Sequence, residues 1–125
     1  MRNYWILVAD GARARLLSSA DGVGRAMLLR EFINQSQDTS GLEPAQTFAE
    51  SLASLLEGVA VRHGFHRLVL VAAEDFLPRL TAALGPVSSH RLAWSIARNM
   101  TGAKLPQLER LLGDLLGAEP ASVGS

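Results

Sequence analysis

The run of apolar segments and turn signals in this chain predicts an α/β fold. The expected architecture is a mixed five-stranded sheet in the order 3-2-1-4-5, with three main helices in a β-β-β-α-β-α-β-α succession. Three observations lead there. Residues 4–9 and 68–72 are apolar at both parities, the pattern of strands covered on both faces. Residues 44–63 instead repeat their apolar side chains at helical spacing. And the first apolar run ends in Asp10-Gly11, a strong hairpin dipeptide, so the chain folds back before the first helix.

Each element has its own justification. Strand one is Tyr4-Trp5-Ile6-Leu7-Val8-Ala9, closed by Asp10-Gly11, read as a two-residue turn with φ > 0 at both positions. The return strand covers 12–18, with Arg13, Arg15 and Leu17 on one face and Ala12, Ala14 and Leu16 on the other. A turn over 20–24 leads to a third strand over 25–33, and 34–43 is a polar loop. Pro44 opens a helix whose stripe is Phe48, Leu52, Leu55, Leu56 and Val59, and which stops at Gly64. Residues 68–72 form the fourth strand. Asp75 is the expected N-cap of a short helix bearing Leu77, Leu80 and Leu84 and closed by Gly85-Pro86; Pro78 falls harmlessly in its first turn. Residues 91–97 form the last strand, with Leu92, Trp94 and Ile96 on one face. A final helix begins at Thr101 or Lys104 and carries Leu105, Leu108, Leu112 and Leu115. Strands one and four belong at the centre, side by side, and right-handed crossovers then give the order 3-2-1-4-5, a ribonuclease H-like topology. Residues 1–117 are expected to be one domain and 118–125 a flexible tail.

Composition limits function. The 125 residues are 48% hydrophobic and 19% charged, with twelve basic and twelve acidic side chains and no cysteine. Disulfides, thiolate catalysis and cysteine-ligated metals are excluded. No apolar run is long enough for a secretory core or a membrane span, so a cytoplasmic protein without membrane insertion is expected. The low charged fraction is partly explained by two doubly buried strands and three leucine-rich helices; a homodimer contact is the reading for the remainder. Zero net charge hides an uneven distribution. Residues 1–30 hold five bases and two acids, 31–60 five acids and no base, and 61–110 seven bases and three acids. Eleven of the twelve bases are Arg, which binds phosphate in bidentate fashion and stacks on bases. Arg13, Arg15, Arg91 and Arg98 could form an RNA-facing surface; Arg standing in for Lys on a solvated surface is the plainer explanation.

A ligand site in such a sheet belongs outside the carboxyl ends of the strands. That edge collects Asp10 and Gly11, then Glu74 and Asp75, then Arg98, Asn99 and Thr101. Acidic residues after two central strands suggest a ribonuclease H-like nuclease holding Mg²⁺, whose cleavage would be lost in Asp10→Asn. Against it, Asp10 has a complete explanation as a turn residue, and Glu74 and Asp75 as a charged helix start. Glu50 and Glu57 lie on the helix side away from the apolar stripe and are expected to face solvent. His63 and His66 have metal-like spacing but no further ligand nearby, so His63 reads as a helix C-terminal residue. No cofactor, metal site or catalytic residue is assigned.

The stretch Trp5-Ile6-Leu7-Val8-Ala9-Asp10-Gly11-Ala12-Arg13-Ala14-Arg15-Leu16 resembles the opening of the bacterial host attachment protein family. Phe48-Ala49 to Leu52, the 68–73 run with Phe76-Leu77, and Ile96 to Thr101 with Leu108 are similar to that family's later stretches, in order along the chain. The family in turn resembles the middle domain of archaeal and eukaryotic class 1 release factors and Pelota, which has the same ribonuclease H-like arrangement. This resemblance implies a non-catalytic binding protein, with the ribosome or RNA as first partner, or else an attachment-related factor at the host interface. Gly-Gly-Gln, the release factors' catalytic tripeptide, is absent, so peptidyl-tRNA hydrolysis by that route is not expected. Pro78, Thr81 and Asn99 also depart from the family's Gly, Arg and Asp. The binding residues expected are Asp10, Gly11, Arg13, Arg15, Glu74, Asp75, Arg98, Asn99 and Thr101.

Overall fold

A computed structural model describes residues 3–20, 26–34 and 44–117. The elements are β1 (Asn3–Ala9), β2 (Arg13–Ala20), β3 (Met27–Ile33), α1 (Pro44–Val61), β4 (Arg67–Ala72), α2 (Leu77–Ala83), α3 (Pro86–Arg91), β5 (Leu92–Ala97) and α4 (Leu105–Gly117). The sheet order is β3-β2-β1-β4-β5, as expected from the sequence. β2 runs antiparallel to β1 and β3, while β1, β4 and β5 are mutually parallel.

The double apolar parity of β1 and β4 explains the three layers. On one face Leu7, Ala9, Leu68, Leu70 and Ala72 pack against Phe48, Leu52 and Leu56 of α1 and Leu80 of α2. On the other, Tyr4, Ile6, Val8, Val69 and Val71 pack against Leu108 of α4. Trp5 stacks on Phe65 at 5.4 Å between ring centroids, closing the first core at the amino end of the parallel strands. Burying each leucine-sized side chain contributes roughly 1.5–3 kcal/mol, so these two cores dominate the stability of the fold.

Several local expectations are corrected. The first hairpin turns at Gly11-Ala12, not Asp10-Gly11, because Asp10 pairs through its amide with the Arg13 carbonyl at 2.9 Å. Neither Gly11 nor Ala12 has a left-handed φ; the Asp10 side chain holds this turn instead of backbone chirality. β2 and β3 meet with a register shift between Leu16 and Leu17, and β3 begins at Met27. The expected turn at 21–24, the start at Arg25, the loop over 35–43 and the tail over 118–125 lie outside the described residues.

Helix α1 ends at Val61, two residues early, in a Schellman-type stop. Gly64 donates its amide to the Val59 carbonyl (2.9 Å) and His63 to Ala60 (2.9 Å). The left-handed position is His63 (φ 61°), not the glycine. Gly64 is needed for space: a Cβ there would lie 2.2 Å from Val59 Cγ1.

The short second helix is not capped by Asp75; Phe76 occupies the N-cap without any side-chain bond, and Asp75 is exposed. Gly85-Pro86 does not only end that helix but starts another, α3, with Pro86 in its first turn. A register shift in the β4–β5 pairing, at Leu68/Val69 of β4, separates Leu92, which joins the α1 core, from Trp94 and Ile96, which join the α4 core. The last helix starts at Leu105, where Gln107 Oε1 accepts the Lys104 amide at 2.8 Å, one half of a capping box. Leu111 takes part in its packing; the side chains of Leu112 and Leu115 lie outside the described residues.

Candidate functional site at the carboxyl edge of the sheet

Because β1, β4 and β5 are parallel, their carboxyl ends share one edge, and the ladder runs on past them. The Ala73 amide donates to Ala9 (3.1 Å) and that of Arg98 to Ala72 (2.7 Å). This edge brings Asp10 to Asn99 and Thr101. Asp10 Oδ1 accepts the Ala12 and Arg13 amides at 2.8 and 2.9 Å. Its Oδ2 accepts from Thr101 Oγ1 at 2.9 Å and Asn99 Nδ2 at 3.3 Å. Thr101 is buried, and its hydroxyl also lies 2.9 Å from Asn99 Oδ1, so one proton faces two acceptors. The charged carboxylate is the stronger of these.

Partial burial pushes the Asp10 carboxyl up, but the Ala12 and Arg13 amides, with Thr101 and Asn99, outweigh it and hold the pKa below the ordinary Asp value. Asp10 is therefore an ionised acceptor whose oxygens are already bonded. It locks the β1–β2 hairpin to the turn after β5. Asn34 at the end of β3 pins the same hairpin from the other side, through its amide to Ala12 (2.8 Å) and its side chain to the Gly11 carbonyl (2.9 Å).

Glu74 and Asp75 stand exposed after β4 and share no hydrogen bond with Asp10. No group of three His, Asp or Glu suited to a metal ion occurs among the described residues. The two arginines of β2 differ from each other. Arg15 is largely buried, with its guanidinium donating to the Ala103 carbonyl and Nε 4.0 Å from Glu31. It joins β2 to the β5–α4 turn. Arg13 is exposed, and its guanidinium forms no hydrogen bond or ion pair among the described residues. It lies along Gly102, and with Arg15, Glu31 and Thr101 it lines a cavity of about 300 Å³. Arg98 and Lys104 are exposed at the same edge.

Glu57 corrects the solvent-facing expectation made for it. It reaches the start of α3, where Oε1 and Oε2 accept the Ser88 and Val87 amides at 2.9 and 3.2 Å. The Ser88 amide above all holds its carboxyl below the ordinary Glu value. Arg91 answers it from the end of α3, donating to the Ala60 and Phe65 carbonyls at 3.0 and 2.7 Å. Neither partnership is legible in the linear spacing, since α3 itself was not expected. Glu50 is exposed, as expected. His66 accepts the Asn3 amide on Nδ1 at 3.1 Å.

Residues 33–112 match the family described as "Protein required for attachment to host cells". The chain belongs to the host attachment family. The match includes the 48–52, 68–77 and 96–108 stretches and begins after the opening stretch at 5–16. No curated protein matches the chain. Among solved structures, this host attachment chain is similar to one described as an archaeal protein, at TM-score 0.59 and 12% identity, covering 93% of this chain and 38% of that one. It is similar also to an archaeal translation termination factor, aRF1, at TM-score 0.58 and 12% identity, covering 92% and 39%. The chain thus spans about two-fifths of the length of either structure, and the likeness is one of fold. No helix among the described residues is long and apolar enough to cross a membrane.

Proposed function

We propose that this host attachment domain is a non-catalytic binding module whose partner is RNA, the ribosome first, engaged at the carboxyl edge of the sheet. Arg13 carries the reading: an exposed guanidinium, without a hydrogen bond or ion pair among the described residues, presented by a hairpin that Asp10, Asn34 and Thr101 hold rigid. A preorganised Arg loses less side-chain freedom on meeting a phosphate. Arg98 and Lys104 add charge along the same edge, and Arg15 acts as a positioning residue for the turn beside Arg13. The fold shared with a termination factor supports the ribosome as the first partner to test.

Co-sedimentation with ribosomes at low salt tests it, comparing wild type with Arg13→Glu/Arg98→Glu. The double variant is expected to leave the pellet. The salt dependence of RNA binding should flatten by roughly 0.7 per lost phosphate contact on single strands. Unchanged pelleting with an unchanged salt slope would sink the reading. The family's description supports a second reading, a factor in attachment to host cells. Host-cell adherence of a strain lacking the protein, complemented by wild type or by the double variant, distinguishes a role that needs this edge from one that does not.

A further inference from the structure

β3 closes the sheet on one side: it pairs with β2 and, among the described residues, with nothing beyond. Edge strands are ordinarily blunted by charge, proline or a covering element. This one exposes Met27 (65%), Leu28 (40%), Leu29 (42%) and Ile33 (71%). The Asn34 amide points back to Ala12, in the turn just before β2. By the alternation of an antiparallel ladder, the amides and carbonyls of Ile33 and Glu31 therefore face outward.

Beside this edge, on the α1 face, lies an open groove of about 450 Å³ between β3 and α1. Phe32, Phe48, Leu52 and Leu55 give it an apolar floor, and the exposed Ser51 stands on its α1 rim. Among the described residues, Arg30 is the one ionisable residue lining it. Its guanidinium lies over the Phe32 ring at 5.2 Å from the centroid and forms no hydrogen bond or ion pair among the described residues.

An unpaired strand edge alongside a strand–helix groove is the arrangement that accepts a peptide as an added strand: the backbone bonds to the edge while alternate side chains enter the groove. We propose that the β3–α1 groove binds an extended peptide segment of a partner protein, bearing an apolar and an acidic residue two positions apart. The apolar side chain sits opposite Phe32, between Phe48 and Leu52. The carboxylate sits opposite Arg30, whose positive charge selects it. This surface lies on β3 and α1 and does not depend on the RNA reading of the carboxyl edge.

Fluorescence anisotropy of the full chain with two labelled, end-blocked peptides tests this. Thr-Thr-Leu-Thr-Glu-Thr and Thr-Thr-Glu-Thr-Leu-Thr cover antiparallel and parallel addition. One of them is expected to bind saturably. Leu→Thr in that peptide should weaken binding about tenfold or more. Glu→Lys should weaken it about threefold, and Arg30→Glu protein should restore the Lys peptide. Ser51→Trp, an exposed position on the rim, should abolish binding with the circular dichroism spectrum unchanged. Hydrogen exchange should show new protection at Glu31 and Ile33. Saturable binding by neither peptide, or no compensation in the charge swap, overturns the proposal. So does light scattering that finds a dimer whose β3 amides are protected without peptide, since the edge then belongs to a second copy.

Discussion

Replacing Asp10 tests whether the carboxyl edge is held by one ionised acceptor. Asp10→Ala removes the acceptor of the Ala12 and Arg13 amides, a loss comparable to an N-cap deletion, about 1 kcal/mol. Both residues are exposed, so water takes over their amides. On the other side, buried Thr101 loses its charged acceptor but keeps Asn99 Oδ1 at 2.9 Å, which limits that cost to about 1 kcal/mol. The total is about 2 kcal/mol, or roughly 8 °C in Tm for a chain of this length. Asp10→Asn keeps the oxygen that holds the turn and turns the other into a donor facing donors. It should cost about half as much. Thermal scans across pH make the test specific. The folded pKa of Asp10 is lowered, so its contribution is complete above the ordinary Asp value near 3.9 and fades as pH falls through the lower folded value. The gap between wild type and Asp10→Asn should therefore be full at pH 7 and close in acid. An Asp10→Asn protein as stable as wild type at neutral pH, or a deficit unchanged in acid, would refute the reasoning.

Further expectations concern the joints between elements. His63→Gly should raise stability by about 0.5–1 kcal/mol in urea unfolding, because glycine adopts the left-handed position without the Cβ penalty. Gly64→Ala should lower it by about 1–3 kcal/mol, since the new methyl would overlap Val59 Cγ1; pairing it with Val59→Ala should recover part of the loss. Gly85→Ala would place a methyl 2.4 Å from the Glu57 carboxyl carbon and dislodge it from the α3 amides. In a double-mutant cycle read by Tm, Gly85→Ala should therefore harm wild type clearly and the Glu57→Ala background little.

The parts of the fold that the sequence shows are those carried by local signals. Parity in Tyr4 to Ala9 and in the 68–72 run is carried by neighbouring residues, and it correctly placed two central strands with helices on both faces. The stripe on α1 was likewise readable, and Phe48, Leu52 and Leu56 are in the core. Gly85-Pro86 was ambiguous for a physical reason: proline both ends one helix and suits the first turn of the next, and α3 uses the second property. His63 was legible as a helix end but not as the left-handed residue, because Gly64 beside it is the commoner occupant. The exposed apolar edge also has a local signal. Met27-Leu28-Leu29 is apolar at both parities in a strand already placed outermost, where nothing in the sheet order covers it.

Local order, parity and the grouping of Asp10, Asn99 and Thr101 at one sheet edge were thus determined by the sequence alone, since strand direction follows from topology. Folding in three dimensions settled which of these residues touch. Asp10 meets Thr101 across 91 positions and Arg15 meets Ala103 across 88, distances over which no periodicity carries information. Two register shifts, in the β2–β3 and β4–β5 pairs, also changed the outcome. A shift of one residue sends a side chain to the opposite face, and no periodicity along the chain marks where it falls. That is why Leu92 parts from Trp94. Arg15 is tied down by the Ala103 carbonyl and Glu31, whereas Arg13, on the same face of the same strand, has no such partner among the described residues.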